Sequence, residues 1–186
     1  MNKTITLGID LGGTNARAGI VKNDTLLSIE SQRVSSDGSS VKVLEELFSL
    51  IDRCINKDVE AIGIGVPGLV DMQSGIVYDV LNIPAWKETH LKKIMEDRYQ
   101  LPVFINNDSN CFALGELYFG KGIGHDSMLG ITIGTGLGTG IIIDKKLYSG
   151  KNGGAGEFGM AEYLDKYFEY YASGQFFENV YGEKVN

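Results

Sequence analysis

Apolar and small residues alternate with polar ones over residues 4–9, Thr-Ile-Thr-Leu-Gly-Ile, the period of a half-buried strand. A tight glycine turn, Asp10-Leu-Gly-Gly-Thr-Asn15, separates it from a second apolar run at 16–21, and Asn23 and Asp24 turn the chain into a third at 26–29. Ser39 and Ser40 are candidate caps for a helix whose stripe is Val41, Leu44, Leu47, Phe48, Ile51 and Ile55, with Glu45, Glu46, Asp52 and Arg53 outward. Residues 59–66 read as a buried strand that breaks at Pro67 and Gly68, and residues 76–78 as another short strand. After a loop at 82–86 the pattern predicts a helix with Leu91, Ile94 and Met95 inward. A strand at 102–105 follows, then a helix over Cys111 to Tyr118. Residues 128–143 are strand-forming on both sides of a glycine-rich bend. Residues 163–181 read as an aromatic helix with Phe168, Tyr171, Ala172 and Phe176 as its buried stripe and Glu169 projecting separately.

The bend is the most unusual stretch. Gly134-Thr-Gly-Leu-Gly-Thr-Gly140 places glycine at every second position, so one face carries no side chain. Each glycine costs about 0.5–1 kcal/mol relative to alanine in a regular element. Two readings explain the cost: backbone N–H groups and threonine hydroxyls converging on a polyphosphate, or a hairpin packed tightly against a neighbour. The first turn has the same two readings. Asp10 can hold a hydrated metal ion while Gly12, Gly13 and Thr14 approach a phosphate, or the segment is a plain hairpin.

Asn106-Asn-Asp-Ser-Asn110 stands where a strand ends and a helix begins, the place where open α/β sheets keep their ligands. Asp108 is a candidate general base or a helix cap; capping alone does not explain five polar residues in a row. Glu157 is the single acid in a glycine-rich loop, Gly153-Gly-Ala-Gly-Glu-Phe-Gly159, and reads as a ligand contact. Two motif matches fail on context. Residues 63–68 fit a dinucleotide fingerprint but lead to a strand instead of a helix, and residues 115–121 resemble a phosphate-binding loop but end a helix.

The 186-residue chain is 43% hydrophobic and 22% charged, with a net charge of −7 and a pI near 4.8, and it has no Lys/Arg cluster. Those numbers fit a globular protein of one large domain or two small ones and oppose a nucleic-acid surface. No apolar run reaches membrane-spanning length, and Met1 to Lys3 lead directly into a strand, so a cytoplasmic protein is expected. Cys54 and Cys111 lie apart in apolar helical patterns and read as free thiols.

Taken together, Asp10 to Asn15, Gly65 to Asp71, Asn107 to Glu116, Gly134 to Gly140 and Gly153 to Gly159 resemble, in order and spacing, the ROK family of repressors, open reading frames and sugar kinases. The resemblance implies an actin/hexokinase-like architecture of two RNase H-like α/β domains with ATP and sugar in the cleft between them. The first domain is expected at residues 1–115, and 116–186 as the incomplete beginning of the second. It further implies ATP-dependent phosphorylation of a hexose, normally at the 6-hydroxyl, with Asp108 as base. Asp10 would hold Mg2+ through water. The turns at Gly12, Gly13 and Thr14 and at Gly134, Thr135, Gly136 and Gly138 would cradle phosphates. Asn107, Asp108, Glu157 and Glu169 would bind sugar hydroxyls, with Pro67 and Gly68 lining the pocket.

Two departures stand out. The family's His after Gly-Glu-x-Gly is Met160 here, and no cysteine of its zinc motif occurs between Ala161 and Phe168, so no zinc is expected. Family members also continue beyond Asn186, which leads us to expect a truncated form that keeps a sugar and phosphate half-site and turns over poorly or not at all. The alternatives are a non-catalytic sugar-binding module and a sugar-responsive regulator without its DNA-binding domain. Members often pair through the second domain, and Phe168, Phe176, Phe177 and Tyr181 are candidates either for such a homodimer or for a core.

Overall fold

The computed structural model describes residues 4–35, 38–80 and 83–182. The lead-in at Met1 to Lys3 and Asn82 of the expected loop lie outside the described residues. The elements, in chain order, are β1 (Ile5–Leu11), β2 (Asn15–Lys22), β3 (Thr25–Arg33), α1 (Ser40–Cys54), β4 (Ala61–Val66), β5 (Leu69–Asp71), β6 (Ile76–Tyr78), β7 (Glu88–Thr89), α2 (Leu91–Tyr99), β8 (Val103–Asn107), α3 (Asp108–Phe119), β9 (Met128–Ile133), β10 (Leu137–Ile143), β11 (Lys146–Leu147), β12 (Glu162–Tyr163), β13 (Lys166–Tyr167), α4 (Phe168–Ala172) and α5 (Phe176–Tyr181). They fall into two compact units, Met1–Asp108 and Ser109–Asn186. The division comes at the first residue of α3, seven positions before the sequence-based border at 115. Ala113 and Leu117 of that helix share a small core with Ile142 of β10, which assigns α3 to the later unit.

The first unit is built on a five-stranded sheet in the order β3-β2-β1-β4-β8. β1, β2 and β3 are antiparallel neighbours, whereas β1, β4 and β8 run parallel. Leu7, Ile9, Ala18, Ile20, Ile62, Ile64, Val103 and Ile105 occupy alternate positions and are all buried, so one face of the sheet carries the core. Helices α1 and α2 join that cluster through Leu47, Leu50, Ile51, Leu91 and Met95. The other face presents Gly8 and Gly63, with Phe104 65% exposed beside them in register.

Helix α1 starts where expected, with the Ser39 hydroxyl accepting from the Lys42 N–H. Its stripe is rotated from the expected one. Val43, Leu47, Leu50 and Ile51 are buried, Leu44 and Phe48 are half-buried, and Val41 is 64% exposed. In α2, Leu91 and Met95 are buried and Ile94 is half-buried. A three-stranded sheet, β5-β6-β7, completes the unit, so residues 63–68 do lead into strand rather than helix.

The second unit holds the antiparallel sheet β11-β10-β9 and the two-stranded β12-β13. Asp144 and Lys145 both have positive φ, which closes the two-residue hairpin between β10 and β11. The expected single aromatic helix is absent. Residues 162–167 form the β12-β13 hairpin, turning at Leu164 with φ of 53°, and Ser173 and Gly174 separate α4 from α5. Neither helix has a buried residue, so the anticipated stripe of Phe168, Tyr171, Ala172 and Phe176 does not exist as such. The aromatics pack on one another instead, Tyr163 stacking on Phe168 with ring centroids 4.6 Å apart. No helix among the described residues is long and apolar enough to cross a membrane.

Candidate active site

Register in the first unit gathers the candidate residues at one end of three adjacent strands. Asp10 pairs across β1 and β4 with Gly65, and Gly65 pairs across β4 and β8 with Asn106. Neighbouring strands are about 4.8 Å apart, so Asp10 and Asn106 stand roughly 10 Å apart on one face with a side-chain-free position between them. All three strands end here, and their carboxyl ends deliver Asp10, the Pro67-Gly68 turn, Asn107 and Asp108 together. Gly68 has φ of 91° and lies so close to β6 that an added Cβ would sit 3.0 Å from the Tyr78 carbonyl oxygen, a conformation that excludes most other residues. Its own carbonyl accepts a hydrogen bond from the Asn107 side-chain amide at 3.2 Å. Two of the candidate sugar contacts are therefore fixed to each other.

Asp10 lies inside β1, opposite Arg17 of β2, and not at the bend itself. It is exposed. The bend is Gly12, Gly13 and Thr14, closed by the Gly12 N–H donating to the Asn15 carbonyl at 2.9 Å. Asp108 opens α3 as its first acidic residue and is half-buried, so the capping and chemical readings both remain compatible with its place.

In the second unit the glycine-rich stretch divides by role. The bend proper is residues 134–136, where the Gly134 N–H donates to the Gly136 carbonyl at 2.9 Å. Gly138 and Gly140 belong to β10, and their missing side chains make room for α3. A Cβ on Gly140 would lie 2.5 Å from the Ala113 Cβ, one on Gly130 of β9 2.8 Å from it, and one on Gly138 would overlap the Ser109 hydroxyl. That hydroxyl is itself 3.1 Å from the Thr132 hydroxyl. The bareness of Gly138 thus serves helix packing. Gly134 is different: an added Cβ would meet nothing within 4 Å.

The loop after β11 is pinned to β10. Gly156, with φ of 98°, abuts the Thr139 carbonyl, and Gly159 abuts that of Leu137. Between them Glu157 is exposed on a surface depression of about 580 Å3, lined also by Tyr148, Lys151, Asn152 and Phe158. Glu169 lies at the start of α4, and its carboxylate accepts the Leu137 N–H at 2.8 Å. The sequence reading missed Gly174, whose N–H donates to the Gly134 carbonyl at 2.6 Å. The Ser-Gly pair between two aromatic runs was its only signal.

In the first unit the exposed Asp10 carboxylate is an oxygen ligand of the kind Mg2+ takes, and in each unit by itself a glycine bend supplies backbone N–H groups of the kind a phosphate takes. Residues 161–168 contain no cysteine or histidine, and the described residues include no group of three or more His, Cys, Asp or Glu side chains arranged to hold a metal.

The chain is 38% identical over 156 residues to a glucokinase of Streptomyces coelicolor, an alignment covering 83% of this chain and 49% of that protein. It is 40% identical over 124 residues to a xylose repressor of Caldicellulosiruptor bescii, covering 63% and 31%. The crystal structure of a ROK family glucokinase from Streptomyces griseus, in complex with glucose and AMPPNP, superposes with a TM-score of 0.85 at 37% identity, over 92% of this chain and 58% of that one. The fold is accordingly that of the ROK glucokinases, the actin-like ATPase fold. The chain spans about half the length of the curated relatives it matches. The ROK family model matches residues 6–184, and the chain belongs to the ROK family.

Proposed function

We propose that this chain carries the sugar- and phosphate-binding groups of an ATP-dependent hexose kinase of the glucokinase type. The observation that supports this most directly is the parallel register that brings Asp10, Gly68, Asn107 and Asp108 to the carboxyl ends of β1, β4 and β8. Asp108 accepts the proton of the hexose 6-hydroxyl as that oxygen bonds to the γ-phosphorus of ATP. The bond from phosphorus to the bridging oxygen breaks, and ADP leaves. Asn107, Glu157 and Glu169 hydrogen-bond sugar hydroxyls, and the Pro67-Gly68 backbone lines the pocket; a hydroxyl missing from the ligand leaves one of these groups unpaired, which is the basis of discrimination. Asp10 would hold Mg2+ through water, and the turns at Gly12, Gly13 and Thr14 and at Gly134, Thr135, Gly136 and Gly138 would receive the phosphates. When bound, Mg2+ neutralises phosphate charge.

The xylose repressor relative supports a second reading, in which the same groups bind a sugar without transferring phosphate. Asp108→Asn separates the two. A kinase loses whatever turnover the chain has by about 10²–10⁴-fold, the contribution of a general base, and keeps its hexose affinity; a wild-type chain that binds hexose and does not bind Mg-AMPPNP supports the regulator. An Asp108→Asn chain with undiminished turnover contradicts the role of Asp108.

A further inference from the structure

We propose that Glu169 is a positioning residue that clasps the phosphate bend, a role beyond its assignment as a sugar contact and one that rests on the kinase reading above. Four backbone groups of the bend and its exit are committed. The Gly134 N–H is bonded to the Gly136 carbonyl, the Gly134 carbonyl accepts from the Gly174 N–H, and the Leu137 N–H is bonded to a Glu169 carboxylate oxygen at 2.8 Å. Gly159 seats against the Leu137 carbonyl. The N–H groups of Thr135 and Gly136 and the Thr135 carbonyl have no partner among the described residues. Two adjacent uncommitted N–H groups on a bend held in this way are the donors that an anion would take. The Glu169 bond is the charge-assisted member of the set and hence its strongest. Gly136 is bare for the same reason, since a Cβ there would lie 2.5 Å from that carboxylate oxygen.

A carboxylate beside a phosphate site also repels phosphate, and this makes the proposal separable from simple electrostatics. Glu169→Gln and Glu169→Ala remove the same charge, but only the second removes the acceptor. With affinities for Mg-AMPPNP and for glucose measured separately by calorimetry, Glu169→Gln binds the nucleotide at least as tightly as wild type. Glu169→Ala and Gly136→Ala each weaken it about tenfold, the scale of one charge-assisted hydrogen bond, and the double variant is no weaker than either alone. Amide exchange at Leu137 quickens in Glu169→Ala and not in Glu169→Gln. Equal nucleotide affinity in Glu169→Ala and Glu169→Gln, or unchanged Leu137 exchange in both, overturns the clasp. Failure of the wild-type chain to bind either nucleotide or glucose overturns the kinase reading, and Leu137 exchange then still decides whether the clasp exists.

Discussion

Gly134 and Gly138 lie in one short stretch, yet alanine would meet opposite fates at the two. At Gly138 the new methyl overlaps the Ser109 hydroxyl, and the strand is held between β9 and α3 with no room to shift. Overpacking of this kind costs about 1–3 kcal/mol, so Gly138→Ala lowers the melting temperature by several degrees. At Gly134 nothing lies within 4 Å of the added Cβ and φ is not positive, so Gly134→Ala leaves the melting temperature where it was. Equal melting temperatures for the two variants would contradict the division of the stretch into a packing half and a ligand half. The sequence shows where side chains are missing. It does not show what fills the space, because α3 reaches β10 from about thirty residues earlier in the chain. The residues at the strand ends were legible for the opposite reason: Asp10, Gly68 and Asn107 sit beside turn signals, and turn chemistry is local.

At the scale of elements, period and caps were readable and phase was not. The limits of α1 followed from Ser39 and the apolar spacing, but two interleaved apolar sets share the three-to-four spacing, and the sheet selected the one containing Val43 and Leu50. Leu47→Ala is therefore expected to cost about 2–5 kcal/mol and Val41→Ala less than about 0.5 kcal/mol, measured by denaturant unfolding; comparable losses would contradict the assigned face. The β12-β13 hairpin was read as helix because its aromatics also suit helical spacing; the positive φ at Leu164 is what turns it. It stands where the family's zinc loop is expected. Tyr163 stacks on Phe168, and the Tyr171 hydroxyl donates to the Asp165 carboxylate. Chelation is expected to leave the melting temperature unchanged, and metal analysis to find no zinc; one zinc per chain would contradict this. The Tyr171 hydrogen bond holds the Asp165 carboxyl below its usual range, while the same bond pushes the tyrosine up to about 12. Because folding lowers the Asp165 pKa, its contribution is present above the ordinary value of 3.8 and is lost as pH falls through the lower folded value. Tyr171→Phe is expected to return Asp165 toward the ordinary range in an NMR titration, and an unchanged titration would show that the hydroxyl is not the cause.

For the molecule as a whole, family membership was legible from five short motifs, while the register that aligns three of them was not. Residues 10, 65 and 106 become neighbours only through parallel pairing of strands far apart in the chain, and such pairing leaves no local trace. That register is also what the functional account depends on, since it turns separate turn motifs into one row of ligand groups. The most direct test is a calorimetric titration of glucose into the wild-type and Asp108→Asn chains in the presence of Mg-AMPPNP. The account predicts saturable binding at one site per chain, with an affinity that survives Asp108→Asn within about threefold, less than one kcal/mol. Absence of glucose binding, repeated with mannose, fructose and N-acetylated hexosamines, would contradict it.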